Sequence, residues 1–129
     1  MKLARDAGTR VTVPPGGPVG AAIDLPHLAR MTMGEAGLER EVLTLFERQA
    51  GILLARMQNA PPPAVAAFAH TLKGSARGVG AWRVAEAADS LEAQAAQPHR
   101  AAAADALAQL AAAVAEVRAV IADLPQPGC

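Results

Sequence analysis

The sequence predicts an all-α protein, an up-down four-helix bundle with a short additional N-terminal helix, and three observations predict it. First, apolar residues make up 52% of the 129-residue chain while aromatics make up 2%, so the apolar content is mostly alanine, the best helix former, and not the β-branched and aromatic residues that strands favour. Second, larger apolar residues recur at spacings of three and four, the period of a helix with one buried face. Third, prolines and glycines cut this pattern into segments with brief connections, which make neighbouring helices antiparallel.

Residues 1–22 read as a flexible tail. Thr9 to Gly20 holds three prolines and three glycines with no apolar period, so no fixed structure is expected there. The domain is expected over residues 23–125. A first, short helix begins at Asp24, a good N-cap, with Pro26 tolerated in the first turn and Ile23 able to staple onto Leu28. Leu25, Leu28 and Met31 share one side, and Gly34 and Gly37 bracket a break. A second helix spans about residues 37–58, with Leu38, Val42, Leu45, Ile52 and Leu53 as its stripe. Gln49 interrupts that stripe and is a candidate donor toward something polar on the next helix.

Pro61, Pro62 and Pro63 end the second helix and open the third, because proline suits a first turn but not a helix interior. The third helix carries Val65, Phe68, Ala69, Leu72, Ala76 and Val79 on one face, and Gly80 closes it. A fourth spans about residues 81–96, with Trp82, Ala85, Ala88, Leu91 and Ala95 inward. Pro98 marks the start of the last. There Leu107, Leu110, Val114, Val117, Ile121 and Leu124 alternate spacings of three and four, the seam of a bundle helix, until Pro125 stops it.

Charge and cysteine content exclude several classes. Lys plus Arg and Asp plus Glu are 12 each, so net charge gives no argument for nucleic acid or a membrane surface. Cys129 is the single cysteine, so no internal disulfide forms, as suits a reducing compartment. No long uncharged apolar run or signal-peptide pattern is present, and the expected location is the cytoplasm.

The chemistry concentrates in Ala69–Ala81, A-H-T-L-K-G-S-A-R-G-V-G-A. On a helical wheel centred on Leu72, His70 falls roughly 160° away, nearly opposite the core. Gly74 and Arg77 fall on the same exposed strip, one and two turns onward, with Lys73 at its flank. Glycine in an exposed helix interior costs roughly 1 kcal/mol relative to alanine. Gly74 lies directly beneath the imidazole in a chain that otherwise uses alanine freely, and its return is access for a partner's backbone. Gly78 adds a second bare position near the helix end. An exposed imidazole offers a nucleophilic ring nitrogen near neutral pH. A phosphoryl group placed there would face the cations Lys73 and Arg77, and Gln49 is the candidate for fixing the other ring nitrogen.

Other chemistries fit less well. No second histidine or cysteine stands at ligand spacing from His70, so no metal site is expected. His27 and His99 lie near helix starts and read as ordinary surface groups. Ser75 turns toward the bundle and no carboxylate is placed to complete a triad. Thr71 reads as structural. Gly16–Gly17 follows no strand, so no nucleotide loop and no means of binding ATP is visible.

At His70-Thr71-Leu72-Lys73-Gly74-Ser75-Ala76, then Val79-Gly80-Ala81, the sequence resembles the histidine phosphotransfer (HPt) domain family, whose pattern is H-x-L-K-G-[SA]-[SA] followed by an apolar residue and glycine. The likeness extends over about residues 24–124. Phe46 and Gln49 match positions on the family's second helix, and Leu91-Glu92 matches a common pair on the fourth. The resemblance implies a phosphoryl carrier in a two-component phosphorelay, not an enzyme with its own kinase domain. It implies that His70 is phosphorylated on Nε2 and exchanges the group with aspartates of response-regulator receiver domains or of a hybrid sensor histidine kinase. No cofactor of its own is expected; Mg²⁺ is expected on the partner receiver. Carried over, Lys73 assists the phosphate, Gly74 permits docking and Gln49 orients the ring. Arg77 departs from the family, where a small residue is usual, and bears on phosphate binding or on partner choice. A sensor kinase would follow its histidine with an acidic residue and then a proline; here Thr71 follows. The alternative is an HPt-shaped module that docks on a receiver or kinase and regulates it without taking phosphate. A monomer is the simpler expectation, since one face is needed for docking.

Overall fold

The computed structural model describes residues 21–97 and 100–124. The predicted tail up to Gly20, the helix start at Pro98, His99, and Pro125 to Cys129 lie outside them. Five α-helices follow one another: α1 (Leu25–Thr32), α2 (Ala36–Met57), α3 (Pro62–Val79), α4 (Trp82–Ala95) and α5 (Arg100–Ala122). Helices α2 to α5 pack in a closed ring, each against its chain neighbour and α5 back against α2, while α1 rests on α2 and α3. The predicted bundle with a short extra helix is therefore the observed fold.

Local chemistry fixes the ends. Asp24 caps α1 by accepting a hydrogen bond from the His27 backbone N–H at 3.1 Å, and Ile23 and Leu28 are both buried, as the staple requires. α1 stops where Met33 and Gly34 turn left-handed, at φ 56° and 77°. Thr32 is buried and donates to the Leu28 carbonyl at 2.9 Å and to Glu39 at 3.3 Å, tying the end of α1 to the first turn of α2. Gly37 lies inside that first turn, so Gly34 alone marks the break. Pro62 and Pro63 open α3, and Gly80 closes it with φ 82°. Any side chain at Gly80 would also press on the Asp24 carbonyl and the His27 ring, both 3.1 Å from an added Cβ. Glycine is thus required there on two counts.

The core follows the predicted faces on α3, α4 and α5. Val65, Ala69, Leu72, Ala76 and Val79 are buried on α3, with Phe68 partly so. Leu110, Val114, Val117 and Ile121 are buried on α5, flanked by half-buried Leu107 and Leu124. On α4, Ala85, Ala88, Leu91 and Ala95 point inward as expected, and Val84 joins them fully buried. Trp82 sits at the edge and donates its indole N–H to Asp24 at 2.9 Å.

α2 corrects the sequence reading. Its buried residues are Leu43, Phe46, Ala50, Leu53 and Met57. Of the predicted stripe only Leu53 belongs to this face; Leu38, Leu45 and Ile52 are 40%, 56% and 49% exposed, and Val42 is half-buried. The burying face is rotated by roughly 100° from the one expected.

Candidate functional site

His70 projects from the middle of α3 on the side opposite Leu72. Leu72 is completely buried, and the His70 side chain is 67% exposed, so the predicted disposition of the two residues is the observed one. The ring is held from α4. His70 Nδ1 lies 3.0 Å from Glu92 Oε2. Lys73, one turn along, is half-buried and donates to Glu92 Oε1 at 2.8 Å and to Asp89 Oδ1 at 3.1 Å. The hydrogen bond from Lys73, and secondarily that from His70, hold the Glu92 carboxyl below its ordinary value of 4.5. The same two carboxylates, Glu92 first, raise Lys73 above 10.5.

These contacts decide the tautomer. An ionised carboxylate only accepts, so with Glu92 at Nδ1 the neutral imidazole keeps its proton on Nδ1 and its lone pair on Nε2, the nitrogen facing solvent. Glu92 thus does what the sequence reading assigned to Gln49. Gln49 is half-buried on α2 and makes no hydrogen bond to His70 among the described residues. Lys73 is correctly placed at the flank of His70, but two carboxylates of the chain already engage its ammonium.

Gly74 lies one turn below His70 and Gly78 two, and both are exposed. A Cβ added at either would meet nothing within 4 Å. Gly51 inside α2 is a useful contrast: a Cβ there would lie 2.9 Å from the Arg118 guanidinium, which crosses α2 to reach Glu47 at 3.5 Å. Intramolecular packing accounts for Gly51, whereas none of the described residues packs against Gly74 or Gly78 in this way. Arg77 is exposed beside them. Thr71 donates to the Ala67 carbonyl at 3.2 Å, the ordinary habit of a helical threonine.

The α2 flank next to this strip is apolar. Arg40 of α2 reaches Leu124 beyond α5, and Glu47 and Gly51 meet Arg118 of α5, so the opposite flank faces α3. That flank carries Leu38, Val42, Leu45, Gln49 and Ile52. Because α2 and α3 run antiparallel about the Asn59–Ala60 turn, Leu45 stands level with Gly74 and Gln49 level with His70.

At the far end of the strip, His27 corrects its reading as an ordinary surface group. It is half-buried, with Nε2 3.2 Å from the Gly78 carbonyl and its ring edge-on to Trp82 at 5.1 Å between centroids. Burial pushes the Asp24 carboxyl up, but hydrogen bonds from the Trp82 indole and the His27 N–H outweigh it and hold the group below 3.8. Asp24 and His27 together clasp α1 to the end of α3. Among the described residues no three His, Cys, Asp or Glu side chains gather as a metal site, and no helix is long and apolar enough to cross a membrane.

A solvent-facing imidazole, held at Nδ1 by Glu92, thus stands on a bundle helix above open backbone. The family model described as Hpt domain matches residues 41–120; the chain belongs to the Hpt domain family, whose members are phosphocarrier modules of two-component signalling and not kinases. No curated protein and no solved structure matches the chain.

Proposed function

We propose that this protein relays a phosphoryl group between His70 and the aspartates of response-regulator receiver domains. The observation that carries the reading is the pairing of an Nδ1-anchored imidazole with backbone at Gly74 that none of the described residues covers. In the forward step the Nε2 lone pair attacks phosphorus of an aspartyl phosphate. The N–P bond forms, the P–O bond to the aspartate breaks, and the aspartate leaves as a carboxylate. The Nδ1 proton stays with the ring, and Glu92 offsets the positive charge that the imidazole gains. Reversal returns the group to another aspartate. The receiver is expected to bring Mg²⁺, and the apolar flank of α2 with Gly74 is the surface on which it settles.

The test mixes the protein with receiver domains carrying labelled aspartyl phosphate. Label should move to this chain as an acid-labile, base-stable phosphoramidate, and His70→Gln should take none. Unlabelled wild type that still binds the receivers would replace the carrier with a regulatory docking module.

A further inference from the structure

The strip below His70 does not end at Gly74. Arg77 and Gly78 continue it toward the end of α3, and no contact among the described residues explains either. Gly78 is a second exposed glycine within the helix whose Cβ would meet nothing within 4 Å. Arg77 is exposed and makes no hydrogen bond or ion pair among the described residues. The neighbouring cations differ: Lys73 is held by Asp89 and Glu92, Arg83 by Glu116 at 3.2 Å, and Arg118 by Glu47. Side chains on a helix lean toward its N-terminus, so Arg77 can reach over the bare backbone at Gly74, toward the space a visitor to His70 must fill. Arg48, on the outer side of α2, is likewise exposed and without a partner among the described residues. The docking face therefore combines apolar side chains with the unpaired guanidinium of Arg77.

We infer that Arg77 selects the partner: its guanidinium pairs with a carboxylate on the receiver's docking surface, and Gly78 beside it lets that segment of the receiver reach the α3 backbone. The inference rests on the carrier reading above and adds which receivers the carrier accepts. Charged groups at the rim of an interface act mainly on encounter and on rejecting wrong partners, so the effect belongs in KM and in its salt dependence.

The experiment compares wild type, Arg77→Ala and Arg77→Glu for phosphotransfer from a panel of phosphorylated receiver domains of the source organism, with circular dichroism confirming the fold of each. For the receivers fastest with wild type, Arg77→Glu should lower kcat/KM by about tenfold or more through KM. Arg77→Ala should fall between and weaken the salt dependence, and hydrolysis of the phosphohistidine should be unchanged. Replacing the receiver's facing carboxylate with arginine should restore transfer to Arg77→Glu. Equal rates and the same ranking of receivers for all three proteins would overturn the inference alone. So would a lower kcat with faster phosphohistidine hydrolysis and unchanged KM, which would make Arg77 a phosphate ligand. No transfer to the wild type from any receiver would overturn the carrier reading, and the inference with it.

Discussion

Replacing Gly74 with alanine should make the protein more stable and less able to exchange phosphate. Alanine gains about 0.8–1.0 kcal/mol over glycine within a helix, because it restricts the unfolded chain and the native conformation already suits it. Nothing offsets that gain, since Gly74 has helical backbone geometry and its added Cβ meets no atom within 4 Å. For a domain of about this size, 1 kcal/mol raises Tm by roughly 4–8 °C. The same methyl group projects into the space that the proposed phosphotransfer requires a receiver to enter at His70. Overfilling a fitted contact costs about 1–3 kcal/mol, about five- to a hundredfold in transfer rate. Urea unfolding followed by far-UV circular dichroism reads the first effect, and single-turnover transfer from a phosphorylated receiver reads the second. A variant that is stabilised yet transfers as fast as wild type refutes the docking role of the bare backbone. A destabilised variant refutes the open space itself.

Three further outcomes follow from the contacts around the site. Asp24→Ala removes the cap of α1 and the acceptor for Trp82, and should destabilise the fold by about 2 kcal/mol, read from the urea midpoint at unchanged m-value. Glu92→Gln should slow transfer several-fold and leave the His70 ring in a mixture of tautomers visible by nitrogen NMR; an unchanged Nδ1–H signal would show that Glu92 does not set the ring. Asp24 and Glu92 both titrate below their ordinary values of 3.8 and 4.5, so the stability each adds is present above those values and lost as pH falls through the lowered ones. Lys73 is raised above 10.5, so its contribution is present below that value and lost as pH rises through the raised one. Between these limits the contributions of these three groups should thus stay constant. Because solvent screens the surface Lys73–Glu92 pair, the acid loss should come mainly from Asp24 and shrink in Asp24→Ala when unfolding is followed against pH.

Much of this architecture is written locally. Asp24 as a cap, the prolines at residues 61–63, Gly80 as a stop and the seam on α5 each act within a turn or two of chain, and the structure places all of them as the sequence implies. The exposure of His70 is equally local, because it follows from its angle to Leu72. Glu92 was not assigned because its role depends on how two helices meet. The signal was present in the hairpin: His70 and Glu92 each lie eleven residues from Ala81, and Lys73 and Asp89 each lie eight. In an antiparallel pair such residues stand at one height, so carboxylates three apart on α4 face a histidine and a lysine three apart on α3. Gln49 lies level with His70 by the same rule about the Asn59–Ala60 turn, yet height alone does not bring a side chain into contact. The missing quantity was the rotation of each helix, which packing sets and local spacing does not.

The rotation of α2 shows why that quantity was hard to read and what its ambiguity signifies. This helix has two apolar strips. Leu43, Phe46, Ala50, Leu53 and Met57 fill the core; Leu38, Leu45 and Ile52 stand in solvent beside the open backbone of α3. A periodicity argument assumes one buried face, and with two apolar strips side by side it takes the exposed one, ended by Leu53, for the core. The excess is itself informative, because single exposed leucines are ordinary but an aligned row next to the exposed imidazole of His70 is not. Exchanging Leu45, which stands level with Gly74, for glutamine separates the two faces. An exposed position should change stability by no more than about 0.5 kcal/mol, whereas loss of an apolar contact under a docked receiver should raise KM for transfer. Unfolding at a much lower urea concentration would return Leu45 to the core, and an unaltered KM would leave the exposed row without a partner.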